Sequence, residues 1–163
     1  MSTGRILATE HRGAYALKLV GDVRVDLCSA IEEYFRSMFS NPAFESVTVD
    51  LCEAEGMDST TLGLLAKLAL QTRERYGLRP VVYSCNSGIN RLLESMGLGR
   101  LLDIRAEHLQ NQAEITEIPS VSEDPEAVRM KVLEAHRVLM DISEENRERF
   151  SDLVTVLEQG TSH

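Results

Sequence analysis

The sequence predicts a mixed α/β domain followed by a helical extension, and three observations carry that prediction. Short apolar runs rich in β-branched residues alternate with longer segments of helical periodicity between residues 5 and 105. Beyond Ala106 the strand signals stop, and apolar side chains recur at steps of three and four. The charge balance shifts at the same place: residues 1–106 carry 13 acidic and 12 basic side chains, and residues 107–163 carry 13 and 5, for nets of −1 and −8. The chain therefore divides into an α/β domain over 1–106, a connecting segment over 107–124 and an amphipathic helical extension over 125–163.

Taken in order, Ile6 to Glu10 and Ala14 to Val20 are apolar runs separated by His11-Arg12-Gly13, which predicts a hairpin. Val25, Ser29, Tyr34, Phe35 and Met38 then recur at helical spacing until Asn41-Pro42 stops the pattern. Val47 to Leu51 suits a buried strand, and Ser59 to Tyr76 reads as a long helix ending at Gly77. Pro80 to Tyr83 supplies another strand and Ser87 to Met96 another helix, before a Gly97-Leu98-Gly99 turn and the brief apolar segment Leu101 to Ile104. Gln110 to Asp124, with Pro119, Ser120 and Ser122, reads as a connection.

Pro125 sits where the first residue of a helix can lack its N–H, and Val128, Val132, Ala135, Leu139 and Ile142 follow on one stripe. Ser143 offers a new cap before Phe150, Leu153, Val154 and Leu157. Two amphipathic helices, or one broken helix, are expected. Their stripe is read as packing against the chain's own domain, with a docking arm as the alternative.

Composition narrows the function. A chain of 163 residues, 43% hydrophobic and 26% charged, has enough apolar content for one core. No stretch is long and apolar enough to span a membrane, and Met1 to Glu10 lacks the apolar region of a secretory signal, so a cytoplasmic location is expected. A formal net charge of −9 disfavours nucleic acid as a partner. Cys28, Cys52 and Cys85 are few, odd in number and widely spaced, which suits free thiols in a reducing compartment and misses every zinc-finger spacing.

The most informative segment runs from Val47-Thr48-Val49-Asp50-Leu51 through Cys52 to Gly56 and into Met57-Asp58-Ser59-Thr60-Thr61-Leu62-Gly63. It reads as strand, loop, helix start. Asp58 is a natural N-cap, which places Ser59 at the first helical position with its hydroxyl near the surface. A phosphate there would be tolerated by free N–H groups and the helix dipole, and beside Asp58 it would concentrate negative charge against any docking partner. By local pattern alone, the favoured reading of Asp58, Ser59 and Thr60 is an ordinary helix cap.

The string Asp58-Ser59-Thr60-Thr61-Leu62-Gly63 resembles the signature of the STAS-domain anti-sigma-factor antagonists. It departs at Thr61, where many members carry glycine. Leu17 to Arg24, and Val82 to Ile104 with Asn90-Arg91-Leu92-Leu93 leading to Gly97-Leu98, resemble the same family. The resemblance implies a central mixed sheet with helices packed on one side and a partner-switching function without catalysis or cofactor. In such a switch an unphosphorylated antagonist binds an anti-sigma factor, often itself the serine kinase, and a PP2C-like phosphatase restores the binding form. By the same resemblance Ser59 carries the phosphate and Asp58 positions the loop. Gly21, Asp22, Thr60, Thr61 and the run Ser84, Cys85, Asn86 and Ser87 border the contact surface.

Other functions fit less well. A nucleophilic Cys52 or Cys85 would need a base, and His11, His108, His136 and His163 form no local motif with either. No glycine-rich phosphate loop is present, because Gly97-Leu98-Gly99 follows a helix. Asp50 with Asp58 lacks a third metal ligand. The remaining rival is a scaffold or small-ligand-binding module of the same fold without a phosphorylation cycle.

Overall fold

The computed structural model describes residues 3–109 and 115–160, and over these the alternating signals resolve into seven strands and five α-helices. Strands β1 (Arg5–His11) and β2 (Ala14–Val23) form the expected hairpin, antiparallel from Arg5 opposite Val20 to His11 opposite Ala14. Helix α1 (Val25–Phe39), strand β3 (Ser46–Asp50), strand β4 (Ala54–Met57) and helix α2 (Ser59–Tyr76) follow. Strand β5 (Val81–Tyr83), helix α3 (Ser87–Ser95), a 3-10 turn at Leu98–Arg100 and strand β6 (Asp103–Arg105) complete the α/β region. Strand β7 (Thr116–Ile118) and helices α4 (Pro125–Ile142) and α5 (Glu144–Gln159) form the rest. Residues 110–114 of the expected connection and 161–163 of the expected extension lie outside the described residues.

The sheet order is β6-β5-β3-β2-β1-β7. It is parallel from β6 to β2 and antiparallel across the β2–β1 and β1–β7 pairs. Two strands carry no signal in the sequence. Ala-Glu-Gly-Met in β4 neither alternates nor is β-branched; it becomes a strand because the register of β2 shifts between Gly21 and Asp22, and the diverging end of β2 pairs with it. Gly21 permits that shift by adopting φ 78°, a conformation costly to a residue with a Cβ. Strand β7 lies in the segment read as a connection. It adds to the free edge of β1, where Ile6 faces Ile118 and Arg5 pairs with Glu117 at 2.8 Å.

Alternation sets the core. Ile6, Ala8, Leu17, Leu19, Val47 and Val49 are buried in one cluster with Leu27, Ile31 and Phe35 of α1 and Leu62, Leu65 and Leu68 of α2. The intervening Leu7, Thr9, Ala16, Lys18 and Thr48 are only half-buried. That difference is the mark of a sheet whose helices cover one face.

The C-terminal helices pack on this domain. Ala135 and Leu139 of the predicted stripe are buried, Val128, Val132 and Ile142 half-buried, and in α5 Phe150 and Val154 are buried while Leu153 stays exposed. Helix α4 crosses α2 at Gly63, so closely that a Cβ there would stand 2.4 Å from the Ala135 carbonyl oxygen. Ser143 caps α5 by accepting from the Asn146 N–H at 3.1 Å. The fully buried Asn146 amide then donates to the Met96 and Leu139 carbonyls at 2.9 and 2.8 Å, tying the hairpin to the end of α3. Across the other side, Glu32 of α1 accepts from Lys67 of α2 at 2.9 Å and from Lys131 of α4 at 2.6 Å, and Lys67 also pairs with Glu134.

The expectation of three free thiols is corrected. Cys52 and Cys85 are joined as a disulfide, with Cα atoms 4.8 Å apart, and only Cys28 is free. Sequence spacing hid the pair, which arises from the parallel register of β3 and β5. Asp50 faces Tyr83 there, so two residues further along each strand Cys52 meets Cys85. Among the described residues no helix is long and apolar enough to cross a membrane.

Candidate functional site

The residues singled out in sequence gather at one end of the sheet, where β2, β3, β4 and β5 end and α2 and α3 begin. Asp58 is the N-cap of α2, with extended backbone at φ −94° and ψ 171°. Its Oδ1 accepts from the Thr61 backbone N–H at 2.9 Å and from the Thr61 hydroxyl at 2.8 Å. Its Oδ2 accepts from the Val25 N–H at 2.8 Å. Val25 is the first residue of α1, whose own N-cap, Arg24, provides no side-chain cap. One carboxylate thus satisfies orphan donors at the start of two helices, 33 residues apart in sequence, where both helix dipoles favour an anion.

Thr61 is 1% exposed. Its hydroxyl lies between Asp58 Oδ1 and the Val23 carbonyl at 3.3 Å, with the Cys28 sulfur at 3.5 Å. A glycine could make none of these contacts, so the Thr61 side chain ties α2 to β2 and α1. Burial pushes the Cys28 thiol up to about 12, partly opposed by the Thr61 hydroxyl, which leaves it protonated and inert.

Ser59 is half-buried, and its surroundings are not those read from the local sequence. The Ser59 Oγ lies 2.7 Å from His136 Nε2 of α4. His136 is 2% exposed, its Nδ1 stands 2.7 Å from the Val132 carbonyl, and its ring meets Phe150 edge-on at 4.9 Å between centroids. A carbonyl can only accept, so Nδ1 carries the proton; in the neutral ring Nε2 then accepts from the Ser59 hydroxyl. The C-terminal hairpin therefore holds the hydroxyl that the sequence places at the surface.

The other expected border residues are divided. Cys85 and Ser87 are exposed and Asp22 and Asn86 half-buried. Gly21, Thr60, Thr61 and Ser84 are buried, so in this conformation they support the surface and offer it no side chain. Asn86 caps α3 by accepting from the Gly88 and Ile89 N–H groups at 2.8 and 3.3 Å, and it donates to the Ala54 carbonyl at 3.5 Å, linking that loop to β4. Asp22 accepts from Arg24 Nε at 2.7 Å, a hydrogen bond that raises the guanidinium pKa.

Sequence reasoning missed His136 and His108. Nothing local marks either one; His136 stands on the apolar stripe of α4, and only the crossing of α4 over α2 brings it to Ser59.

No protein-family model matches the chain, and no curated protein sequence matches it. Among solved structures it is similar to the anti-sigma factor antagonist SpoIIAA in its unphosphorylated form, at 14% identity and a TM-score of 0.48, over 55% of this chain and 81% of that one. A likeness at that level bears on neither the site nor its chemistry. The structure is that of a mixed α/β protein whose candidate site is a helix-start serine under a C-terminal helical hairpin.

Proposed function

We propose that this chain is a partner switch of the anti-sigma-factor-antagonist kind. It binds an anti-sigma factor or serine kinase when Ser59 is unphosphorylated and releases it when Ser59 carries a phosphate, and a PP2C-like phosphatase reverses the modification. The chain binds and does not catalyse. The observation that carries the reading is the place of Ser59: it is the first residue of α2, directly after the Asp58 cap, on the sheet end where Asp22, Cys85, Asn86 and Ser87 retain exposure.

A dianion on Ser59 is favoured by the helix dipole and opposed by Asp58. It also changes the present hydrogen bond, because phosphorylation removes the hydroxyl proton and leaves the Ser59 Oγ as an ester oxygen 2.7 Å from His136 Nε2. Modification thus alters the contact between α2 and α4. In this reading the C-terminal hairpin is the element that reports the state of Ser59 to a partner.

The second reading, a scaffold or ligand-binding module without a phosphorylation cycle, draws on the same contact, because a hydroxyl already satisfied by a buried histidine has a structural use.

Intact-mass and pulldown measurements on wild type, Ser59→Ala and Ser59→Asp, expressed in the native host, separate the two. The switch predicts a mass gain of one phosphate that disappears in Ser59→Ala, and a protein partner retained by Ser59→Ala but lost by Ser59→Asp. Equal recovery of the partner by both variants refutes it.

A further inference from the structure

The ends of β3, β5 and β6 bring together three side chains, of which the switch uses only Cys85, as part of its contact surface. The ladder continues past β3 and β5, since the Leu51 N–H donates to the Tyr83 carbonyl at 2.7 Å and the Ser84 N–H to the Arg105 carbonyl at 2.9 Å. That register sets Cys52 beside Cys85. The chain leaving β6 then passes them, with the Cys52 sulfur 3.4 Å from the Glu107 carbonyl oxygen. His108 follows, and the sulfurs of Cys52 and Cys85 and a ring nitrogen of His108 all lie within 4.8 Å of one another. Cys85 and His108 are exposed and Cys52 half-buried, so an ion can reach the group from solvent.

We propose that the reduced form of this cluster is a binding site for a zinc-class divalent ion, with Cys52, Cys85 and His108 as three ligands and a fourth position open to water or to a partner's side chain. Two thiolates and an imidazole form a donor set that selects borderline-soft ions over magnesium or calcium. With metal–sulfur bonds of about 2.3 Å and metal–nitrogen bonds of about 2.0 Å, a tetrahedral ion places its donors roughly 3.5–3.8 Å apart. The 4.8 Å that bounds the three donors is about an ångström beyond these separations, and the two sulfurs, bonded to each other in the oxidised form, part to reach them on reduction.

The disulfide is the oxidised alternative at the same place. A phosphine together with one water, or a dithiol, supplies two electrons and two protons, and the S–S bond becomes two thiols. The phosphine leaves as its oxide, carrying the water's oxygen, and the dithiol leaves as its own disulfide. The ion then displaces both thiol protons to solvent as the metal–sulfur bonds form. Metal occupancy and the disulfide therefore exclude one another. This site stands independently of any modification at Ser59.

The test uses the full chain. Reduced with a phosphine and desalted without oxygen, it is titrated with Co²⁺, and Zn²⁺ is then added to displace the cobalt. Expected is one equivalent of Co²⁺ with thiolate charge-transfer and tetrahedral ligand-field absorption, abolished by one equivalent of Zn²⁺. Protein left oxidised takes up no ion. Cys52→Ser and Cys85→Ser lose the charge-transfer band, and His108→Gln weakens binding by at least about tenfold, the effect expected of one ligand in such a site. Cys28→Ser, at the buried thiol, binds as wild type does. Absence of stoichiometric cobalt binding by the reduced wild type overturns the proposal, and needs no variant to be folded. Wild-type affinity in His108→Gln, or in either exchange at Cys52 or Cys85, overturns the three-ligand assignment.

Discussion

Replacing Asp58 by alanine tests the claim that one carboxylate organises the candidate site. The change removes the acceptor of three hydrogen bonds, from the Thr61 N–H, the Thr61 hydroxyl and the Val25 N–H. Loss of an N-cap costs about 1 kcal/mol per helix, with a range of about 0.5–2, and here two helices lose their only side-chain cap. The Thr61 hydroxyl can turn fully to the Val23 carbonyl and adds little. The expected loss is about 2–3 kcal/mol, a fall in Tm of roughly 4–12 °C for a chain of this size. Urea unfolding followed by circular dichroism measures the loss, and amide hydrogen exchange locates it. Both the first turn of α1 and the first turn of α2 should exchange faster. A cost below about 0.5 kcal/mol, or loosening confined to α2, refutes the cross-capping.

Three further outcomes follow from the packing of the C-terminal hairpin. Gly63→Val puts side-chain atoms where the Ala135 backbone lies, and should cost about 1–3 kcal/mol while raising hydrogen exchange in α4 more than in β3. Asn146→Leu leaves the Met96 and Leu139 carbonyls buried without a donor, and a loss of about 2–4 kcal/mol in urea unfolding is expected. For Glu32, burial raises the carboxyl pKa, but hydrogen bonds from Lys131 and Lys67 more than reverse this and hold it below the ordinary 4.5. Its stabilising effect is therefore complete above pH 4.5 and is lost as pH falls through the lower folded value. Glu32→Gln should flatten that part of a stability-against-pH curve, and an unchanged curve would show that the carboxylate does not anchor α4.

Much of this molecule was legible in order along the chain. The span of α2, the Asp58 cap, the Pro125 start and the Ser143 break of the extension all rest on short-range physics: orphan N–H groups seek a nearby acceptor, and apolar side chains keep the period of the element that buries them. Strands β4 and β7 were not legible, because each exists only by pairing with an edge supplied elsewhere. The same holds for the features that give the site its chemistry. The sequence by itself determined that Ser59 begins a capped helix after a buried strand and a loop. Only tertiary structure decided that His136 covers it, that Asp58 also caps α1, and that Cys52, Cys85 and His108 stand together. Each of those contacts joins residues separated by 23 or more positions, and such contacts are set by register and helix crossing, which leave no trace in local periodicity.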